Sequence, residues 1–431
     1  MSNLWRDIRY ALRQLSKAPG FTLTIIVTLA LGIGANTAIF TVDYATLLAP
    51  LPYPHPEQLV MVWSKVQSFH QNPVSAGDFL DWKQQSSAFQ DLNAWSGAAF
   101  NIAGKNQPEY VNGTRATSSY FQMLGSPLAL GRGFLPEEGE AGKNHVVILT
   151  HKFWKHLGSD PNIIGTTLRL DSTPYTVVGV LAAGPADRGQ AQLTVPLIFQ
   201  PGERNHDAHW LFVMGRLKPG ITVQQANANM NSVTAHMAEE YPKSNKGWSS
   251  SVEPLKNDFL PPTMKPLLWL LLGAVGFVLL IACVNVANLL LARSMTMQKE
   301  VAIRSALGAK PGRIFSQFLT ESLLLAIAGG AAGVGVGYAM LRGLIAIMPL
   351  NTLPTEADLR LNLPILIFTL AASTLAGLLF GTAPSWYASR VDPGEALKEG
   401  GRSGTGAGRH RLRRLLVAGE FALTLTLLAG A

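Results

Sequence analysis

Four long stretches of this 431-residue chain contain no Asp, Glu, Lys or Arg, and they restrict the folds open to it. They are Phe21–Val42, Pro266–Ala292, Ser322–Leu341 and Leu361–Ser389. About 20 apolar residues in a helix cross the hydrocarbon core of a bilayer, and each stretch reaches that length. Only 14% of the chain is charged, whereas about 25% is usual in soluble domains. The sequence therefore predicts a membrane protein with four spanning helices.

The composition excludes several other classes of protein. A single cysteine, Cys283, cannot form a disulfide within the chain or a cysteine-based zinc site. An apolar content of 48% excludes a disordered chain. A fifth apolar run starts at Phe421 and is too short to span when the sequence stops at Ala431. We therefore expect a truncated gene product or a fragment of a longer protein.

The basic residues predict how the chain crosses the membrane. They collect in three flanks of the apolar stretches, residues 1–20, 293–313 and 386–414, whereas 17 basic and 17 acidic residues balance between Pro50 and Lys265. Such flanks stay on the cytoplasmic side, so the N-terminus is predicted inside and the large region after the first span outside. A nucleic-acid binder would carry its basic residues on a folded face among aromatic residues, so no nucleic-acid partner is expected.

Residues 4–17 predict an amphipathic helix ahead of the first span. The basic side chains fall mostly opposite one apolar face, which is a pattern typical of a helix lying along the membrane surface. A partner-binding helix is the less favoured alternative. The apolar face consists of Leu4, Trp5, Ile8, Ala11, Leu12 and Leu15.

The outside region predicts an α+β domain without catalytic residues. Strands are predicted at Leu59–Val66, Val146–Leu149, Thr167–Leu170, Tyr175–Val180, Leu193–Phe199 and Trp210–Leu217, and helices at Ala76–Gln85, Thr117–Leu124, Thr150–Leu157 and Thr222–Glu240. His206 and His209 could share a helical face, but no zinc-hydrolase motif accompanies them. Glu137 and Glu138 are interpreted as a solvated loop tip. Neither a catalytic residue nor a metal ligand is predicted.

The segment between the second and third apolar stretches predicts a short capped helix. Val301, Ala302, Ala306 and Leu307 give it an apolar face, with Ile303 beside them. Glu300 and Arg304 have the i, i+4 spacing of a helical ion pair, and Gly308 suits the end of a helix. Two interpretations remain: a simple connector between spans, or a lever to which another protein docks.

Polar and small residues within the spans predict helix packing. Gly329, Gly333 and Gly337 recur every four residues, a spacing that allows close contact between spans or between protomers. Glu321 stands at the cytoplasmic start of a span, where an intramembrane carboxylate can have a functional role. Two structural interpretations are preferred: it reaches headgroup water or it pairs with a nearby Arg. Residues 9–24 match residues 409–424 at eight of sixteen positions, so a second copy of the unit is predicted to begin near residue 409.

Several segments together resemble permeases of the MacB/FtsX-like ABC transporter family. The clearest are "KEVAIRSALGAKPGRIFSQFLTES" inside and "ILTHKFWKHLGSDPNIIGTTLRLDSTPYTVVGVL" and "GRLKPGITVQQANANM" outside. Residues 4–42 are similar to its subgroup of duplicated orphan permeases. The resemblance implies a multi-span α-helical membrane protein of the bacterial inner membrane. It also implies a large α+β periplasmic domain inserted between the first and second transmembrane helices.

The topology and the resemblance divide the chain into predicted segments. They are a cytoplasmic amphipathic helix (1–20), transmembrane helix 1 (21–45), a periplasmic core domain with two lobes (46–265), transmembrane helix 2 (266–292), a cytoplasmic coupling segment (293–316), transmembrane helix 3 (317–341), a short periplasmic loop (342–360), transmembrane helix 4 (361–389), a basic cytoplasmic linker (390–414) and the start of a further transmembrane helix in the second repeat (415–431).

The resemblance implies that a partner ATPase binds and hydrolyses ATP and that its movement is transmitted to the periplasmic domain for export or efflux. No Gly-x-x-x-x-Gly-Lys-[Ser/Thr] motif occurs in the sequence, so this chain is expected to bind no cofactor and not to be an enzyme itself. By motif, the ATPase-coupling residues are Lys299, Glu300, Ile303, Arg304, Leu307 and Gly308.

Further partners implied are the lipid bilayer, a second permease unit (a homodimer or the second repeat) and a periplasmic adaptor. Two alternatives remain open. One is an FtsX-like regulator of envelope enzymes that transports nothing, and the other is an inactive truncated half-permease. The substrate cannot be read from the sequence.

Overall fold

The computed structural model describes residues 2–67, 69–103, 108–185, 189–258, 263–307, 309–349, 356–388 and 407–430. These form two units. The first unit is helical and consists of the described residues of Met1–Leu48, Pro262–Pro349 and Asp358–Ala431. The second is an α+β unit and consists of the described residues of Ala49–Pro261 and Leu350–Ala357. The predicted fold class, a multi-span helical protein with a large α+β domain after the first span, is confirmed.

The described helices are numbered in chain order. They are α1 (Ser2–Lys17), α2 (Pro19–Asp43), α3 (Ala76–Gln85), α4 (Tyr120–Leu124), α5 (His151–His156), α6 (Val223–Glu240), α7 (Leu255–Asp258), α8 (Met264–Thr296), α9 (Gln298–Ala306), α10 (Pro311–Ile347), α11 (Leu363–Ala388) and α12 (Ala407–Gly430). The helix α12 covers the end of the predicted basic linker, whose earlier part (390–406) lies outside the described residues.

Four helical stretches are long and apolar enough to cross a membrane, and each overlaps one predicted span. They are Pro19–Leu48, Met264–Ser294, Pro311–Ile347 and Leu363–Trp386. The first begins with a proline, whose missing N–H costs nothing in the first turn of a helix. It continues past α2 through a π-helical turn, Tyr44–Leu48. The described part of the chain thus carries the four spans that the apolar stretches predict.

Within the helical unit, α2 packs against α8, α10 and α11. Their apolar side chains form one buried cluster, which includes Ile25, Leu29 and the single cysteine, Cys283. Polar groups also join these helices. The amide nitrogen of Asn36 donates to the carbonyl of Val275 over 2.7 Å. Such hydrogen bonds help to set how spans pack, because the hydrophobic effect between helices within a membrane is weak.

The α+β unit is built on one large sheet. Its strands are β1 (Leu59–Val66), β2 (Phe69–Asn72), β3 (Val74–Ser75), β4 (Phe89–Ala103), β5 (Pro108–Ala116), β6 (Leu128–Gly131), β7 (Val146–Leu149), β8 (Thr167–Leu170), β9 (Thr173–Leu181), β10 (Leu193–Pro196), β11 (His209–Leu217) and β12 (Trp248–Pro254). The order is β12-β1-β11-β4-β5-β10-β7-β9-β6, with β2, β3 and β8 pairing beside this path. Of these pairs, β5–β10 and β7–β9 are parallel.

The two largest apolar cores along this sheet draw on different parts of the chain. One draws on residues 60–94 and 197–252, and it contains the buried rings of Phe79 and Trp82. The other draws on residues 100–195. The first core is therefore built from the beginning and the end of the sequence of the α+β unit, and the second from the middle of that sequence. The helix α6 packs against β12, and the hydroxyl of Thr222 caps its first turn.

Asp258, the last residue of α7, makes the stability of this unit depend on pH. Burial, with a smaller contribution from the charge of Glu253, raises the pKa of Asp258 to about 6. An unfolded Asp titrates near pH 4, so in the native state the proton is retained to higher pH. Between about pH 4 and pH 6 the native state therefore binds more protons than the unfolded state, and its stability falls as the pH rises.

We expect Asp258→Asn to raise the free energy of unfolding at pH 8 by on the order of 1 kcal/mol. Partial solvent contact of the side chain reduces the full effect of the shifted pKa. At pH 3.5 the substitution is expected to change nothing, because the native carboxyl is already neutral there. Thermal unfolding of the full chain in detergent at both pH values measures this. An equal gain at both would contradict the titration as its cause.

Candidate functional site

The short helix α9 lies between two spans and is the centre of the candidate site. Its inner face is formed by Val301 and Ala302, which are buried. The backbone N–H of Leu307 donates to the carbonyl of Ile303 at the end of the helix. A separate helix, α10, then begins at Pro311. The apolar residues on one side of α9 thus hold it against the helical unit.

The hydroxyl of Tyr10, on α1, is the hub of a polar cluster that holds α9. It donates to Glu300 Oε1 over 3.0 Å and accepts from Arg304 Nη2 over 2.5 Å. Gln14 Nε2 donates to the same hydroxyl over 2.6 Å. Arg304 also donates to Gln317 Oε1 of α10 over 3.0 Å. Tyr10, Glu300, Arg304 and Gln317 therefore join α1, α9 and α10.

The protonation state of Tyr10 suits this role. Burial raises the pKa of Tyr10, against an opposing contribution from the adjacent Arg304. The hydroxyl therefore keeps its proton and remains a donor to Glu300. The guanidinium carbon of Arg304 lies 4.8 Å from the centre of the Tyr10 ring, a cation–π contact.

Two further ion pairs connect α1 and α8 to α10. Asp7 of α1 is buried and accepts two bonds from the guanidinium of Arg313, at 2.6 and 2.7 Å. Arg293 of α8 lies 3.0 Å from Glu321 of α10 and also donates to the carbonyl of Gln14. Of the two interpretations of Glu321, pairing with an arginine is confirmed.

The structure places the predicted coupling residues in two groups. Glu300 and Arg304 bond to each other, as their spacing predicts, and face Tyr10. Ile303 and Leu307 are instead 52% and 82% exposed. The side chain of Lys299 and the whole of Gly308 lie outside the described residues. The predicted single apolar face of α9 is therefore divided, because Val301 and Ala302 turn inward while Ile303 and Leu307 turn outward.

The exposed pair gives the site its chemical character. We name Ile303 and Leu307 the apolar tip of α9. Two apolar side chains that are exposed four residues apart on a short, polar connection between spans make the tip a candidate for contact with a partner. The polar cluster at Tyr10 fixes the orientation of the helix that carries the tip. The same cluster links this helix to α1 through Tyr10 and to α10 through Gln317.

The three predicted packing glycines lie where α10 crosses α2. A Cβ on Gly329 would lie 2.6 Å from the Cβ of Leu29, and one on Gly333 would lie 3.1 Å from a methyl of Ile33. A Cβ on Gly337 would lie 3.0 Å from the carbonyl of Gly34. In this structure the glycines therefore pack spans of one chain together.

Other candidates from the sequence belong to the α+β unit. His206 Nδ1 lies 2.8 Å from Asp78, and His209 Nδ1 lies 3.1 Å from the carbonyl of Pro73. Among the described residues no three metal-ligating side chains converge. The interpretation of Glu138 as a solvated loop tip is wrong. It is buried and accepts two hydrogen bonds from Arg132. Its side chain also caps the start of a 3-10 helix, which keeps the carboxylate turned inward.

Sequence reasoning missed the contribution of α1 to the site. Asp7, Tyr10 and Gln14 lie on one side of α1, spaced three and four residues apart. That polar stripe within an otherwise basic and apolar helix was a usable signal, since Asp7 is its only acidic residue. Its partners could not be named, because Glu300 lies 290 residues away in the chain.

Comparisons with known proteins agree with this architecture. Residues 22–233 match the family described as "MacB-like periplasmic core domain", and residues 272–393 match "FtsX-like permease C-terminal". The pyoverdine export ATP-binding/permease protein PvdT of Pseudomonas fluorescens is 28% identical over 70% of this chain and 44% of that protein. The macrolide export ATP-binding/permease protein MacB of Chromobacterium violaceum is 28% identical over 64% of this chain and 42% of that protein.

The chain spans less than half the length of these relatives. A solved structure of the periplasmic region of MacB from Actinobacillus actinomycetemcomitans is 16% identical, with a TM-score of 0.36 over 49% of this chain and 92% of that one. The apolar helices and the periplasmic-domain match indicate an inner-membrane protein with a periplasmic domain. Because the two family matches follow one another and together cover more than three quarters of the sequence, this chain belongs to the MacB/FtsX-like family of ABC transporter permeases.

Proposed function

We propose that this chain is the permease subunit of an ABC-type exporter and that the apolar tip of α9 binds its ATPase. The observation that carries the proposal is the division of α9 into a fixed face and an exposed one. Val301 and Ala302 are buried, whereas Leu307 is 82% exposed on a connection between two spans. A partner that covers the tip gains apolar contact without reordering the helix that presents it.

The hydrogen bonds behind the tip support mechanical coupling. A displacement of α9 acts on α1 through Tyr10 and on α10 through the bond from Arg304 to Gln317. Asp7 and Arg313 in turn tie α1 to α10. In the chain, α2 leads into the α+β unit and α8 leaves it. Movement of the ATPase is thereby transmitted along the spans to the periplasmic domain.

ATP binding and hydrolysis belong, in this proposal, to a separate ATPase, because the present sequence contains no phosphate-binding Gly-x-x-x-x-Gly-Lys-[Ser/Thr] motif. The relatives named above are export ATP-binding/permease proteins, which supports export as the direction of transport. Their names give different substrates, so they do not identify the substrate of this chain. A second permease unit, as a homodimer or a second repeat, and a periplasmic adaptor complete the proposed assembly.

We expect Leu307→Asp to weaken binding of the ATPase at least tenfold, because a carboxylate would be desolvated at the centre of the contact. The full chain is co-expressed with each ABC ATPase of the source genome that has no span of its own. The partner that co-purifies is then titrated against both variants in detergent. Ile303→Asp should act in the same direction.

Leu157→Asp is the matched control, because Leu157 is an exposed leucine of the α+β unit, 37% accessible. It is expected to leave ATPase binding unchanged. Undiminished binding by Leu307→Asp would overturn the assignment of the tip. Stimulation of a cell-wall hydrolase in reconstituted membranes without ATP-driven export would overturn the exporter in favour of an FtsX-like regulator.

A further inference from the structure

The first helix, α1, has two faces of different character. Asp7, Ala11 and Leu15 follow one another every four residues and are buried against the helical unit. On the opposite side Trp5 is 68% and Leu12 is 56% exposed. This exposed side also carries arginines, so the predicted apolar face is split between protein and surroundings. We name Trp5, Arg9, Leu12 and Arg13 the outward face of α1.

The position of α1 in the chain places this outward face at the membrane boundary. A single residue, Ala18, separates α1 from Pro19, where the first spanning stretch begins. The hydroxyl of Thr22 donates to the carbonyl of Leu15 over 2.9 Å, which fixes the junction. Exposed Trp and Leu side chains at this depth meet the boundary between headgroups and acyl chains.

Charge identifies the occupant of the outward face. Asp7 is the only acidic residue of α1, and it is turned inward and bound to Arg313. The outward face is therefore cationic as well as apolar, with Arg9 and Arg13 both exposed. Anionic headgroups complement it, whereas a second copy of α1 would bring like charges together.

We propose that anionic phospholipids of the leaflet beside α1 bind its outward face and thereby hold α9 in place. The link is Tyr10, which lies on α1 and bonds to Glu300 and Arg304 of α9. Lipid bound on one side of α1 limits the motion of the helix, and the Tyr10 cluster extends that limit to α9. The effect on ATPase coupling rests on the proposed function, whereas the lipid binding and its effect on α9 do not.

Amide hydrogen exchange of the full chain in nanodiscs tests the proposal. Discs of phosphatidylcholine alone are compared with discs containing 30 mol% phosphatidylglycerol. We expect the anionic lipid to slow exchange in α1 on the order of tenfold at low salt. The reason is that each arginine near an anionic surface strengthens binding to that surface roughly fivefold. Exchange in α9 is expected to slow as well, and 0.5 M NaCl should remove most of both effects.

Three variants separate the steps. Arg9→Gln/Arg13→Gln is expected to abolish the response to phosphatidylglycerol in both helices. Arg169→Gln/Arg204→Gln removes two exposed arginines of the α+β unit and should retain it. Tyr10→Phe loses the hydroxyl hub, so α1 should still respond to the lipid while the response of α9 falls.

Equal exchange in the two kinds of disc would overturn the proposal, as would a full lipid response in Arg9→Gln/Arg13→Gln. Protection of α1 only in discs that hold two copies of the chain would assign the outward face to a second copy instead. These readouts contain no ATPase. A failure of Leu307→Asp to weaken ATPase binding would therefore overturn the proposed function and leave the lipid response standing.

Discussion

Replacing Arg293 with methionine is expected to lower the free energy of unfolding by about 3 to 5 kcal/mol. Arg293 and Glu321 are 14% and 7% exposed at their side chains and lie 3.0 Å apart. Without the guanidinium, the carboxylate of Glu321 remains buried with no opposite charge. Chemical unfolding of the full chain in mild detergent, followed by circular dichroism, measures the loss.

Two controls make this prediction specific to the buried pair. The double variant Arg293→Met/Glu321→Gln removes both charges and should recover much of the loss. Arg360→Met breaks an ion pair with Asp358 whose side chains are 80% and 51% exposed, so it should cost less than about 1 kcal/mol. If Arg293→Met were no more costly than Arg360→Met, the buried pair would not stabilise the bundle.

The second large effect is expected from Gly329→Val, which should destabilise the bundle by about 3 kcal/mol. A Cβ at this position would lie 2.6 Å from the Cβ of Leu29, closer than two carbon atoms can pack. The helices α2 and α10 would have to move apart, and their neighbouring contacts would loosen. The same unfolding measurement in detergent reports this loss.

Gly335→Val is the matched control on the same helix. Apart from the backbone and immediate neighbours of its own helix, no heavy atom of the described residues lies within 4 Å of the position that its Cβ would take. We expect its unfolding free energy to stay within about 0.5 kcal/mol of the parent. Similar losses in the two variants would show that the cost arises from valine in a helix rather than from contact with α2.

Short-range signals made part of the fold predictable. The bounds of β1 and α3 are those that the sequence predicts, Leu59–Val66 and Ala76–Gln85. An apolar run rich in β-branched residues marks the strand, and the hydroxyl of Ser75 accepts from the N–H of Asp78 to cap the helix. Such features are complete within a dozen residues, so they need no knowledge of the rest of the chain.

The long pair β4 and β5 could not be predicted in the same way. Both strands contain small or polar residues, and Asn112-Gly113 is a typical turn signal. In the structure Gly113 is part of a strand, and a Cβ there would lie 2.7 Å from the ring of Phe100 on β4. The glycine makes room for an aromatic ring across the sheet. That reason becomes visible only once the strands are paired.

Of the candidate site, only the contacts within one helix could be predicted from the sequence. The pair of Glu300 and Arg304 follows from spacing within one helix. The division of α9 into buried and exposed apolar residues depends on which neighbours lie beside it, and Tyr10 is supplied from the other end of the sequence. Contacts between distant segments therefore decide which residues of α9 are available to a partner.

The glycines along α10 determine which motions the spans can make. At Gly329 and Gly333 the two helices touch with only a hydrogen atom on one side, against Leu29 and Ile33. Sliding α10 lengthwise along α2 would bring bulkier groups into these notches, so translation past one another is sterically blocked. We therefore expect α2 and α10 to tilt together as one rigid pair. On the proposed function, a displacement at one end of the pair would reach the other end as a rotation rather than as sliding.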